Sequence, residues 1–362
     1  MPIKSFISIL TVAALLAFGV FCVAAAIFES DLPQGFADLP EWSDRSVNRQ
    51  LSQNSELKQI APTMLLTFGA QEQDGIFITE DYLLENIAPP DKDHLNGNLN
   101  AIKRFLESHN THTAVVLIPT ACVIKQQDLP ASANLFNQKE LISDCYYELS
   151  GLASTVDAYS QLFSAKNQYT YYRTESLPTG LGGYYIYNAL TSRLGITTRP
   201  LDQFEVENLP YDYYGSLYQR SSFKSVSPDL ITLYRFSRFS RQYKLTLTEN
   251  GEQKSYFTLF PTHLSELGQH ESVIFGGFGE RMDISVASPY ENSLLIFADK
   301  TALCYLPFLV VHYGNITMID LASCSEEQLE QIDIDAYDQV LFSYSVDNFM
   351  HKDVCSSAAN IK

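Results

Sequence analysis

The residues able to do chemistry are scattered, and none forms a self-sufficient catalytic motif. No G-x-S-x-G elbow, H-E-x-x-H zinc helix or G-x-x-x-x-G-K-[ST] phosphate loop occurs. His270-Glu271 opens like a zinc motif, but Ile274 stands where the second histidine would have to be. His109 and His112 are three residues apart at an expected helix end, with no third ligand to complete a metal site. Gly276-Gly277-Phe278-Gly279 lacks the strand and helix that flank a nucleotide loop, so it reads as a tight turn. Asn315-Ile316-Thr317 matches a glycosylation sequon. The tyrosine clusters Tyr146-Tyr147, Tyr184-Tyr185 and Tyr211 to Tyr214 offer stacking surfaces for sugar rings, or edge packing with hydroxyls in water. No metal or cofactor is expected from these patterns.

The elements that must position any site are clearer. Asn98 to Ser108 has the spacing of an amphipathic helix, with Ile102, Phe105 and Leu106 on one side. Thr113 to Pro119 is a continuous apolar run, as expected of a buried parallel strand. Thr170 to Arg173 reads as a short aromatic strand and Gly180 to Leu194 as a helix. Tyr243 to Phe260 carries a hairpin signature, with Asn250-Gly251 as a type I′ turn. Leu294 to Ala298, Thr301 to Tyr313 and Ile316 to Leu321 read as strand, helix, strand, and Val340 to Tyr344 as a further strand. Such alternation predicts an α/β domain with a largely parallel sheet, with antiparallel material between about 200 and 290. Thr113 to Ile118 and Leu294 to Ala298 should be central strands of one sheet, with the Tyr243 to Phe260 hairpin outside it.

Composition narrows the classes. The chain has 362 residues, 46% hydrophobic and 12% aromatic, enough for a large core and against general disorder. With 42 acids against 24 Lys plus Arg, the net charge of −18 argues against nucleic acid as a partner. Six cysteines are too few for a disulfide scaffold; buried thiols or one structural disulfide both fit. Ser5 to Phe28 is uncharged and long enough to span a bilayer, with Lys4 before it and Glu29, Asp31 and Asp38 after it. This predicts an N-terminal transmembrane helix with the rest of the chain facing outward; Ala24-Ala25-Ala26 leaves a cleaved signal peptide and a secreted protein open. Residues 29–70 read as an extracytoplasmic linker, 71–350 as the folded domain and 351–362 as a tail.

Several segments, in order, resemble the DHHW family of envelope proteins, which are similar to alginate O-acetyltransferases and have an SGNH-hydrolase-like fold. They are Asp74-Gly75-Ile76-Phe77-Ile78, Val116-Leu117-Ile118-Pro119-Thr120, Tyr171-Tyr172-Arg173-Thr174, Gly182-Gly183-Tyr184-Tyr185, and Tyr214-Gly215-Ser216-Leu217-Tyr218 with Ser227-Pro228-Asp229. Pro307-Phe308-Leu309, His312-Tyr313 and Ile319-Asp320-Leu321 resemble the helix and strand after the family's nucleophile. The resemblance implies an SGNH-like parallel sheet flanked by helices over residues 71–350.

The departures lie at the catalytic positions. Where the family has Asp-His-His-Trp, this chain has Glu175-Ser176-Leu177-Pro178. The serine position holds Lys300, a downstream Asn position holds Leu303, and a Gly-Gly-Asn position ends in Phe278. Acyl transfer from serine needs a proton acceptor, an acid to orient it and donors for the oxyanion. Leu177, Leu303 and Phe278 supply none of these, and no histidine lies between His112 and His263. The expectation is therefore an inactive family member that binds envelope polysaccharide or scaffolds acyltransferase-system proteins. A changed esterase using Ser176 with Lys300, His312 as a displaced base, and a purely structural protein are the alternatives. Glu175 and Lys300 are expected to meet as a buried ion pair at the carboxyl ends of the strands.

Overall fold

The computed structural model describes residues 72–361 apart from 132, 222, 224, 225, 238–241, 288 and 289. The expected anchor and linker lie outside the described residues, and none of the described helices is long and apolar enough to cross a membrane. The chain divides into a small unit, residues 1–74 with 218–225, and a large unit holding all the rest. Within the small unit, the Ser221 hydroxyl lies 3.4 Å from the Tyr218 carbonyl and 3.4 Å from the Phe223 carbonyl.

The large unit is built on an eight-stranded sheet. Its strands are β1 (His112–Ile118), β2 (Ser154–Val156), β3 (Tyr243–Glu249), β4 (Glu252–Tyr256), β5 (Arg281–Val286), β6 (Ser293–Ala298), β7 (Asn315–Ile319) and β8 (Gln339–Ser345). Their spatial order is β2-β1-β8-β6-β7-β5-β3-β4. The first five run parallel, and β5, β3 and β4 continue the sheet antiparallel. As expected, β1 and β6 are central parallel strands, with β8 between them. The hairpin is not outside the sheet: it forms the edge, because β5 offers β3 a free backbone row to pair with. Asn250 and Gly251 both have positive φ, 52° and 75°, as a type I′ turn demands.

Helices cover both faces. On one lie α1 (Lys92–Ser108), α2 (Gln138–Glu148) and α5 (Val346–His351), whose Leu99, Ile102, Phe105, Ile142 and Phe349 pack with Val115, Leu117, Leu295 and Phe297 of the strands. On the other lie α3 (Ala158–Ser164) and α4 (Gly180–Arg193), packed with Ala114, Val116, Ile118 and Ile296. Each central strand is thus apolar on both faces, which explains the uninterrupted runs in the sequence. Helix α1 starts six residues before the expected Asn98, capped by the Asp91 carboxylate on the Asp93 and His94 amides.

Two expected elements are shorter than the sequence suggested. Thr170 to Arg173 makes a single bridge, Tyr171 to Pro178, because Pro178 has no N–H to continue a ladder. Thr301 to Tyr313 breaks into a 3-10 turn, Lys300–Cys304, and a helical turn, Leu306–Leu309. Pro307 cannot donate to the turn before it. Cys122, Cys145, Cys304, Cys324 and Cys355 are free thiols, the first two and the last buried.

The residues after α5 fold back onto α1 through one amide. Asn98 Nδ2 donates to the Phe349 and Lys352 carbonyls at 2.8 and 2.7 Å. Its Oδ1 accepts from the Val354 and Cys355 amides at 3.0 and 2.9 Å. Truncation would strand several buried backbone groups at once. Asn98→Ala is expected to lower stability by about 3 kcal/mol. Urea unfolding should show a reduced midpoint with an unchanged m-value, and an unchanged midpoint would refute the role.

Candidate functional site

Residues 170–179 form a tight loop, closed by Tyr172 N–H to the Leu177 carbonyl at 3.2 Å and Thr179 N–H to the Thr170 carbonyl at 3.0 Å. Asp229, 2% exposed, fixes it in place. Its carboxylate accepts from the Arg173 amide at 2.6 Å, the Thr174 amide at 2.8 Å, the Thr174 hydroxyl and the Tyr169 hydroxyl. Its backbone pairs with Tyr213 in both directions, at 3.1 and 2.8 Å. Thr174 Oγ1 in turn accepts from the Gly215 amide at 2.9 Å. One buried carboxylate therefore locks the 170–179 loop to the 213–216 segment.

That lock creates a cradle for Glu175, which is 5% exposed. Its carboxylate accepts from the Ser176 amide and hydroxyl at 2.8 and 3.1 Å, and from the Ser216 amide and hydroxyl at 2.7 Å each. Gly215 is required here: a Cβ would lie 2.4 Å from the Glu175 Cβ. The carboxylate is thus engaged in holding the loop, and among the described residues no imidazole hydrogen-bonds to it. Ser176 is exposed, with its hydroxyl turned to Glu175; the described hydrogen bonds do not join it to Lys300.

Lys300 follows β6 at the carboxyl ends of the parallel strands. Asp299 pins the turn, accepting from the Thr301 amide at 2.9 Å, the Ser345 amide at 2.8 Å and Asn348 Nδ2 at 2.7 Å. The expected Glu175–Lys300 pair does not form. Lys300 Nζ donates instead to Glu271, and both side chains are about two-fifths exposed, at 40% and 43%. The Tyr213 hydroxyl stands between the two carboxylates. It donates to Glu271 at 2.8 Å and lies 3.5 Å from Glu175. Burial, then the charges of Glu175 and Glu271, push its pKa well above the phenol range, so it stays a donor. Burial alone would raise the Glu271 pKa, but the hydrogen bonds from Lys300 and Tyr213 and the Lys300 charge outweigh it and hold it below the usual 4.5.

Leu177, Lys300 and Leu303 line one pocket, together with Tyr172, Tyr213, Phe260, Ile274 and the mouth residue Glu271. Its empty volume, open side included, is about 650 Å³, and its lining contains no histidine. The sequence thus located three members of the pocket. It missed Glu271, noticed only as part of a failed zinc motif, and valued Tyr213 only for stacking. Charge complementarity to Lys300 across 29 residues has no periodic signature to reveal it. Phe278 is not in the lining; it packs half-buried against the core beside Gly276 and Gly277, whose φ values are 79° and 114°. His312 is buried against Tyr187, with Nε2 and the hydroxyl 2.8 Å apart, and is not in the lining either. Cys304 lines the pocket with its thiol pKa pushed up by burial, which keeps it protonated. Among the described residues, no three His, Cys, Asp or Glu side chains cluster closely enough to hold a metal ion.

Comparison with known proteins gives the same outline. Residues 87–319 match the family described as DHHW protein. The structure of a DHHW family protein from Eubacterium siraeum superposes with a TM-score of 0.64 at 17% identity, covering 80% of this chain and 96% of that one. Bacillus cereus PatB1 superposes with a TM-score of 0.64 at 15% identity, covering 79% and 99%. A structure of PatB1 with a sulfonyl adduct gives 0.63 at 14% identity, with the same coverage. No curated protein matches the chain.

Lys300 and Glu175 should respond very differently to substitution. Lys300→Met breaks a half-exposed pair, so it should cost about 1 kcal/mol or less, whereas Glu175→Ala strands buried donors and should cost about 3 kcal/mol. Chemical denaturation of both variants checks this, and equal losses would refute the division of roles. A second measurement follows the Glu271 carboxyl by NMR. A depressed folded-state pKa contributes stability above the unfolded value and loses it as pH falls through the folded one. The wild-type midpoint should therefore lie below 4.5, and Lys300→Met should raise it.

Proposed function

Starting from the fact that this chain belongs to the DHHW protein family, we propose that it is a non-catalytic member that holds an envelope polysaccharide in the family's site without transferring or cleaving acyl groups. One observation carries this reading: Leu177, Lys300 and Leu303 face a single pocket whose lining contains no histidine. Those are the positions that resemble the family's base, nucleophile and amide donor. A leucine cannot accept a proton from a nucleophile, and two leucine side chains cannot stabilise an oxyanion. Lys300 is engaged by Glu271, donating a hydrogen bond to its carboxylate.

The pocket remains open rather than filled by side chains, which supports a binding role over a purely structural one. Its aromatic members, Tyr172, Tyr213, Tyr234 and Phe260, offer faces for a sugar ring. The apolar segment Ser5 to Phe28 supports an outward-facing protein held at the membrane, where such polymers and acyltransferase-system proteins are found. The Ser176–Lys300 esterase is disfavoured by the Ser176 hydroxyl, which donates to Glu175.

PatB1 has been described with a sulfonyl adduct. Adducts of this type require a nucleophile that attacks sulfur, so the same reagents discriminate here. Full-length protein treated with a sulfonyl fluoride should keep its intact mass, and chromogenic acetyl esters should be hydrolysed only at the background rate. Turnover that disappears in Ser176→Ala or Lys300→Met would overturn the proposal.

A further inference from the structure

Taking the non-catalytic reading as its basis, we infer that the pocket receives an apolar acyl chain several carbons long, carried as an uncharged ester, with the ester carbonyl at Lys300. The floor and walls are formed by Ile231, Leu303, Phe260 and Pro307, all buried, with Leu177 and Ile274 nearer the opening. Water in such a space finds few of the polar partners it needs, so alkyl groups displace it favourably. An acetyl group would bring only a single methyl to these apolar side chains. A longer chain reaches the buried leucine and isoleucine.

The charges at the mouth choose the head group. Lys300 is the cationic member of the lining, and Glu271 already neutralises it. Behind it, Glu175 approaches Tyr213 from the other side, so the local balance of these three groups is −1. A free carboxylate arriving there meets net negative charge. An uncharged ester meets no such penalty. Its carbonyl accepts from the Lys300 ammonium, which has three N–H donors and uses one on Glu271. The ester then sits beside Leu177 with no proton acceptor to activate an attacking group, so it is retained intact.

Calorimetric titration of the full-length protein with 6-O-octanoyl-glucose, sodium octanoate and glucose tests this. The ester should bind at least tenfold more tightly than octanoate, and glucose should bind more weakly still. Leu177→Trp, which places a large ring at the opening, should weaken ester binding at least tenfold with the melting temperature maintained, while Leu177→Met should leave it within twofold. Lys300→Met should weaken it several-fold. Equal or tighter binding of octanoate overturns the uncharged-head assignment, and absence of ester binding overturns the ligand class while leaving the non-catalytic reading standing. Release of octanoate from the ester, followed by NMR in the same samples, overturns the non-catalytic reading while leaving the ligand class intact.

Discussion

The arrangement of the site depends on one buried carboxylate, that of Asp229. Four donors converge on it from Tyr169, Arg173 and Thr174, and its backbone pairs with Tyr213. A carboxylate removed from water is costly unless its oxygens are saturated with donors, and here the loop supplies them only in one conformation. The constraint runs in both directions. The loop needs the carboxylate to satisfy its amides, and the buried carboxylate needs the loop's donors to satisfy its oxygens. Glu175, Tyr213 and the mouth of the pocket inherit their positions from that closure.

Glu175 sits on the loop as an orienting acid would, but its carboxylate is shared between the backbone and hydroxyl donors of Ser176 and Ser216. Its role here is to brace a turn. Lys300, on the turn fixed by Asp299, makes a half-exposed contact to Glu271 rather than a buried ion pair. The electrostatic connection between the two sides of the site goes through the Tyr213 hydroxyl, whose single proton is directed to Glu271. A phenol kept neutral by burial can join two carboxylates without a second cation.

The sheet was legible because its physics is local and repetitive. Five consecutive buried residues, Ala114 to Ile118, announce a strand covered on both faces, and Asn250-Gly251 announces its turn by backbone conformation alone. Elements interrupted by proline were overread, since Pro178 and Pro307 act on single hydrogen bonds that a hydrophobic pattern does not record. In the site, Leu177, Lys300 and Leu303, singled out by family resemblance, line one pocket, yet Lys300 pairs with Glu271 rather than the expected Glu175. Ion-pair choice depends on side-chain reach and on which carboxylate is already occupied. Glu175 is already held by the donors of Ser176 and Ser216, which residue type and spacing do not reveal. Phe278 was misplaced for a similar reason: the positive φ angles at Gly276 and Gly277 turn that segment in a way composition alone cannot fix.

The position of β8 has a consequence for how the molecule is made. It lies between β1 and β6, yet Gln339 pairs with His112 across 227 residues, and Asn98 waits for the Val354 amide across 256. During synthesis, β1 is made long before β8, whereas only β7 separates β6 from β8 in chain order, so the edge of β1 that β8 will pair is left open longer than that of β6. Contacts of such long range close slowly, because the loop entropy is lost before the pairing compensates it. Until β8 arrives, that edge of β1 is open to pairing with wrong strands.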